Sequence, residues 1–205
     1  MKKLLLLFSL LLLSQAGFSQ ISQGYKYVSG TVMYNTDRFE TYRTHQVTVM
    51  PEINFMTGDY FSIGLAAGLV HEKYQQEVMA NSPYQIKTTN LYGIAPKIKF
   101  FTPVGEKVYF SPEVSVPLLF GSTTDTQGLA NNQESTTTYD RNRWGFNAGM
   151  GLVFVLGDRF TLEAKMAVIN YMVDVQKFDS EELVEEEFDF GFDLNNAGLS
   201  VGYFF

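Results

Sequence analysis

Residues 197–205 read AGLSVGYFF, and this run decides the fold. Its odd positions are Ala197, Leu199, Val201, Tyr203 and Phe205, with Gly198, Ser200, Gly202 and Phe204 between them. The period is two: one face is apolar, the other small and mostly polar, as in a β-strand. A chain end in water usually frays. An aromatic strand running flush to its end has a reason to exist where its apolar face meets lipid.

The same alternation recurs upstream. Strand-like segments fall at 25–37, 42–56, 60–75, 87–101, 107–121, 142–156, 159–175 and 189–205. That makes eight, each longer than the ~5–6 residues of an ordinary globular strand and than the ~9–11 that span a bilayer. In the third, Phe61, Ile63, Leu65, Ala67 and Leu69 alternate with Ser62, Gly64, Ala66 and Gly68. In the sixth, Trp144, Phe146, Ala148, Met150, Leu152 and Phe154 oppose Gly145, Asn147, Gly149 and Gly151. The seventh sets Phe160, Leu162, Ala164, Met166 and Val168 against Thr161, Glu163 and Lys165. In the eighth, Phe188, Phe190, Phe192 and Leu194 are even, and the parity switches near Asn195–Asn196, where a β-bulge is expected. Pro51, Pro96, Pro112 and Pro117 each remove a ladder donor, so local irregularities are expected there as well.

Connections alternate in length. Short ones fall at 57–59, 102–106 and 157–158; longer polar ones at 38–41, 76–86, 122–141 and 176–188. Short turns on one side and longer loops on the other describe an antiparallel up-and-down barrel in an outer membrane, the longer loops outside. A three-residue turn at 57–59 would place His45 directly across from His71.

Bulk decides which face points inward. Eight strands enclose a space just wide enough for side chains. The Phe, Leu, Ile and Val face would overfill it; the Gly, Ala and Ser face fits. The fold expected is therefore all-β, an eight-stranded antiparallel up-and-down transmembrane β-barrel rather than a lipocalin-like barrel with its apolar face inside. The small face also carries charges of both signs: Glu52, Glu113 and Glu163 with Lys97, Lys99 and Lys165. In a narrow lumen these six must pair, because an isolated buried charge costs several kcal/mol. Lys97 and Glu113 stand on adjacent strands, near enough for a cross-strand or diagonal pair.

Lys2, Lys3, the apolar run 4–13 and the small residues Ala16, Gly17 and Ser19 form a secretory signal peptide, residues 1–19, ahead of a barrel domain at 20–205. Cysteine is absent, which excludes disulfides and thiolate metal sites. Loss of the two signal-peptide lysines takes the formal net charge from −7 to −9. So acidic a domain is unsuited to nucleic acid.

Few residues suggest chemistry. His45 and His71 fall on the apolar face without enough neighbouring ligands for a metal, and read as interfacial aromatics. Asp179, Glu181, Glu182, Glu185, Glu186, Glu187 and Asp189 form an acidic tract in the last external loop. Such runs are usually solvated, though clustered carboxylates could also capture a basic partner, or favour divalent cations that bridge to lipopolysaccharide phosphates. The Thr-, Asn- and Gln-rich 122–139 loop suits either an adhesive surface or passive disorder. Trp144 reads as part of an interfacial girdle.

Together the signal peptide, the eight amphipathic strands, the loop asymmetry and the row Leu199, Val201, Tyr203, Phe205 resemble the OmpA/OmpX-like class of eight-stranded outer-membrane β-barrels of Gram-negative bacteria. The resemblance implies export through the periplasm and residence in the outer membrane among lipid and lipopolysaccharide. It further implies that Leu199, Val201, Tyr203 and Phe205 act as the signal read by the barrel assembly machinery. The cell-wall-binding domain that follows the barrel in full-length OmpA proteins is not expected here. The function expected is structural or surface interaction by a monomer, with no enzymatic activity and no cofactor, and with a lumen plugged by side chains. A narrow ion pore, a loop-mediated adhesin and a lipid-modifying barrel enzyme stand as alternatives.

Overall fold

In the computed structural model the alternating segments become antiparallel staves that close on themselves. The structure describes residues 24–38, 42–76, 84–128, 133–178, 181–191 and 197–205. The expected signal peptide at 1–19 and the expected bulge at Asn195–Asn196 lie outside them. The strands are β1 Lys26–Arg38, β2 Tyr42–Gly58, β3 Phe61–Gln76, β4 Gln85–Phe100, β5 Thr102–Pro103, β6 Val108–Phe110, β7 Glu113–Ser115, β8 Leu118–Gly128, β9 Glu134–Leu156, β10 Phe160–Lys177, β11 Glu182–Phe190 and β12 Ala197–Phe204.

Strands β1 to β4 pair in sequence, and β6, β7 and β8 together form the fifth stave against β9. Strands β9 and β10 follow, and β11 and β12 share the eighth stave against β10. The ring closes where β12 pairs with β1, from Tyr27↔Phe204 to Val32↔Leu199. Past that ladder, Phe205 and Lys26 exchange both backbone hydrogen bonds, at 2.8 and 2.9 Å.

Burial is the reverse of a water-soluble protein. Glu52, Lys97, Lys99 and Glu163 are buried, whereas Ile63, Leu65, Leu69, Ile94, Ile98, Phe146, Leu152, Leu199 and Val201 are exposed. Charged groups inside and a continuous apolar band outside fit only a molecule whose outer solvent is hydrocarbon. At the short-turn rim Phe61 packs on Phe100, and Tyr203 contacts both Phe160 and Phe205, with ring centroids 5.0 to 6.5 Å apart. These rings form one interfacial girdle.

Several local expectations are corrected. The first short turn is Asp59–Tyr60, with a bulge between Met56 and Gly58, so the β2–β3 register differs by two residues from that expected. His45 faces Lys73, and His71 faces Val47. The fifth segment is not one strand: Pro112 interrupts it between β6 and β7, and Pro117 between β7 and β8. Pro51 and Pro96, by contrast, sit within β2 and β4 with no register shift at either.

The expected loops at 122–141 and 176–188 are largely strand. Threonines of the β8–β9 hairpin pair across it, Thr124 with Thr138 and Thr126 with Thr136, each at 3.3 Å. From Glu182 onward the acidic tract is likewise strand β11, paired on β10 from Ile169↔Phe190 to Lys177↔Glu182, while Asp179 lies outside the described residues. β9 alone has 23 residues, far more than the ~9–11 needed to span lipid, so these ribbons stand clear of the membrane. β-branched threonine favours this pleated state over a loop.

The parity change in the eighth segment is present: Phe188 and Phe190 pair with outward residues of β10, as do Leu199 and Val201 further along. Strand β10 carries a matching irregularity of its own, because its register against β9 slips between Ala167 and Ile169. One extra residue there turns every later side chain to the opposite face.

Candidate functional site

The six charged residues of the small face come together in one layer inside the barrel. Lys97 on β4 contacts Glu52 on β2 and reaches Glu113 on β7 at 3.6 Å. Lys99 bonds Glu163 on β10 at 2.5 Å and lies 3.7 Å from Glu113. Lys165 lies 3.6 Å from Glu113. Glu113 thus gathers all three lysines. In register it stands opposite Lys99, with Lys97 on the diagonal.

Hydroxyl donors complete the layer. Ser29 donates to Glu52, and Ser111 donates to Oε1 of Glu163 at 2.8 Å. Three cations and three anions cancel, so the layer is neutral; Glu52 and Glu163 are also hydrogen-bonded, whereas buried Glu113 Oε2 has no hydrogen-bond partner and is held by the surrounding lysine charges alone.

Beneath this layer, toward the short turns, lies an apolar floor that the alternation alone did not predict. Tyr27, Met56, Phe101, Tyr109, Val153, Val155 and Phe204 form one buried cluster. Tyr27 stacks on Phe204 at 4.6 Å and meets Phe101 edge-on at 6.3 Å. The Lys99 ammonium sits 5.4 Å from the Phe101 ring centroid, coupling floor to charge layer through a cation–π contact. Phe204 was visible as an aromatic on the small face. Its partners Tyr27 and Phe101 lie at strand ends where the alternation is weak.

A second ionic cluster occupies the outer half of the lumen. Arg143 donates to Glu72 at 2.7 Å and to Asp174 at 3.1 Å; Arg141 donates to Asp174 at 2.8 Å and to Thr89 at 3.0 Å. Glu72 extends the inward row of Ser62, Gly64, Ala66 and Gly68, and Arg143 extends that of Gly145 and Asn147, so both were legible by counting on. Asp174 was not, because the bulge in β10 reverses its face. Between the two ionic layers lies a cavity of about 800 Å³.

The remaining candidates do not converge. His45 Nδ1 lies 3.1 Å from the Tyr34 hydroxyl, and His71 donates to Asn90 Oδ1 at 2.8 Å. Leu199, Val201 and Phe205 are exposed on the outer wall, with Tyr203 half-buried among them. Of the acidic residues, Glu181 precedes β11. Glu182 and Glu186 share one face of that strand, with Glu185 and Glu187 on the other.

A closed ring of eight antiparallel staves, with buried ion pairs and an apolar exterior, admits one description. This is an eight-stranded transmembrane β-barrel of the outer-membrane kind.

Solved structures of other bacterial surface and outer-membrane proteins are similar to this chain. The N-terminal β-barrel domain of Pseudomonas aeruginosa OprF is 14% identical, the match covering 90% of this chain and 99% of that one, with a TM-score of 0.38. Ail, the attachment invasion locus protein of Yersinia pestis, is 13% identical over 89% of this chain and 99% of its own, with a TM-score of 0.39. The outer membrane protease OmpT of Escherichia coli is 8% identical over 92% and 96%, with a TM-score of 0.45. No family model and no curated protein sequence matches the chain.

Proposed function

We propose that this barrel is a sealed, non-enzymatic protein of the outer membrane, whose work is done by the hairpin ribbons it holds above the surface. One observation carries the reading. The lumen is blocked twice in succession, by the floor around Tyr27 and Phe101 and by the charge layer around Glu113. No solute passes a neutral ionic layer resting on packed aromatic rings. What projects from such a plug is a platform: the β8–β9 hairpin with its threonine rows, and β10–β11 with its carboxylates.

In this reading the chain is exported through the periplasm and stands as a monomer among outer-membrane lipids and lipopolysaccharide. The row Leu199, Val201, Tyr203 and Phe205 serves as the strip read by the assembly machinery. The acidic residues 181–187 offer a negative surface to divalent cations or to a basic partner outside the membrane, since hard cations prefer oxygen ligands.

Planar-bilayer recording tests the seal. The purified barrel is expected to give no unitary conductance above the lipid baseline, and reproducible channel steps would establish the narrow-pore reading instead. Surface interaction is tested by removing 122–139 or neutralising 181–187. Unchanged cell-surface binding and envelope integrity in both variants would sink it.

A further inference from the structure

Two arginines oppose each other on the outer wall. Arg38 of β1 and Arg43 of β2 stand in direct register, and Thr36 faces His45 two residues along. On the other flank of β2, His45 faces Lys73 of β3, which makes Lys73 the diagonal neighbour of Arg43. Alternation puts all five on the same face as the exposed Tyr34 and Val47.

These three cations are what remains of the basic residues of the barrel. Lys87, Lys177 and the lysines and arginines of the lumen are held by carboxylates. Lys26, Lys107 and Arg159 stand at the short-turn end. Arg38, Arg43 and Lys73 have no ion-pair partner among the described residues, and they gather on three consecutive strands. Residues 39–41 and 77–83 bring two acids, Glu40 and Glu77, fewer than the cations.

The patch begins where the lipid-facing rows end. Moving outward, β1 passes from Tyr34 to Thr36 and Arg38, β2 from Val47 to His45 and Arg43, and β3 from Leu69 to His71 and Lys73. Tyr34 and, on β4, Tyr92 are 59% and 62% exposed at this level. Such rings mark the height of the headgroups, and the longer-loop end of a barrel faces outside. The three cations therefore meet the headgroups of the outer leaflet.

We propose that Arg38, Arg43 and Lys73, with Thr36 and His45 beside them, bind a phosphate monoester on the headgroup of an outer-leaflet glycolipid. The proposal rests on the membrane-embedded reading of the barrel, and it gives the lipopolysaccharide contact of that reading a place, the β1–β3 wall.

Two arguments point to an anion. Like charges directly opposite on paired strands destabilise the pairing, and a bound anion turns that repulsion into attraction. The pair is also against the trend of the chain, whose formal net charge is −7. The form of the anion follows from the donors. A guanidinium presents a planar fork that grips two phosphate oxygens at once, and lysine adds a point charge. Three positive charges favour a phosphate monoester, which carries about −1.5 to −2 at neutral pH, over the single charge of a diester headgroup. Thr36 Oγ1 and the Tyr34 hydroxyl lie 3.3 and 3.1 Å from His45 Nδ1, so the imidazole is held against the wall inside the patch.

The test uses full-length mature barrel in phosphatidylcholine nanodiscs, with insertion verified by its heat-shifted mobility. Histidine is labelled with ¹⁵N; the chain has two, and His71→Gln assigns the His45 signal. The discs are doped with lipid A bearing two phosphate monoesters, with the same lipid stripped of phosphate, or with phosphatidylglycerol, and inorganic phosphate is titrated separately. The His45 resonances are expected to shift saturably with phosphorylated lipid A, at a mole fraction at least tenfold below that needed with phosphatidylglycerol, and to ignore the stripped lipid. Arg38→Gln, Arg43→Gln and Lys73→Gln together should erase the tenfold preference, whereas Lys177→Gln, on strand β10, should leave it intact. An equal response to phosphatidylglycerol or to the stripped lipid, or an unmoved His45 at saturating lipid A, overturns the site. Saturation by inorganic phosphate in discs without lipid A would assign the patch to free phosphate and overturn the lipid as its ligand. The lipid comparison is complete in the wild-type protein, so it decides the matter even where the triple variant does not fold. Failure to acquire the heat-shifted form would overturn the barrel reading itself.

Discussion

Lys99 and Glu163 meet at 2.5 Å across the lumen, three staves apart, and neither side chain has any exposure to solvent. Among the described residues no other ion pair ties strand β4 to strand β10. Breaking a buried pair by removing one partner leaves an uncompensated charge, at a cost of about 3–5 kcal/mol. Lys99→Met should therefore lower unfolding stability in lipid vesicles by that amount, measured by urea titration. Lys99→Met combined with Glu163→Leu should recover most of it. A double variant as unstable as the single one would show that the pair is not what holds these strands.

The floor makes an independent prediction. A Cβ added at Gly202 would collide with the ring of Tyr27, which is itself stacked on Phe204. Overpacking of this kind costs about 1–3 kcal/mol. Gly202→Ala should lower the temperature at which the barrel loses its heat-shifted mobility, and adding Tyr27→Leu should restore it. Full tolerance of Gly202→Ala alone would mean that the rings are not packed against that wall.

The two blocking layers lie below the cavity, and the Arg141–Arg143 cluster lies above it. Arg141→Ala with Arg143→Ala should accordingly leave the barrel non-conducting, although Glu72 and Asp174 lose their partners. Channel steps in that variant would move the seal outward and contradict the assignment of the charge layer and the floor as the barrier.

Phe205 has two separable roles. Its backbone closes the ring against Lys26, and its exposed ring belongs to the proposed assembly strip. Phe205→Ala keeps the backbone bonds, so refolding of purified protein into lipid vesicles should be nearly unchanged. The amount reaching the outer membrane in cells should fall several-fold. Equal losses in both measurements would assign Phe205 to stability alone.

Strand number, the two faces and the identity of the six lumen charges were determined by the sequence itself. Those features depend only on the two-residue pleat, which any alternating run displays locally. The tertiary structure decided what the pleat cannot encode. Register follows from turns and bulges: the bulge between Met56 and Gly58 moved His45 opposite Lys73, and the slip after Ala167 turned Asp174 inward to meet Arg141. Pairing across the lumen follows from the stagger of all eight staves together, so Lys97 could be paired with Glu113 on the adjacent strand, but Glu163 could not be assigned to Lys99 nor Lys165 to Glu113. The floor of Tyr27, Phe101 and Phe204 is likewise a property of closure. A local period says which way a side chain points, and only the closed ring says what it meets.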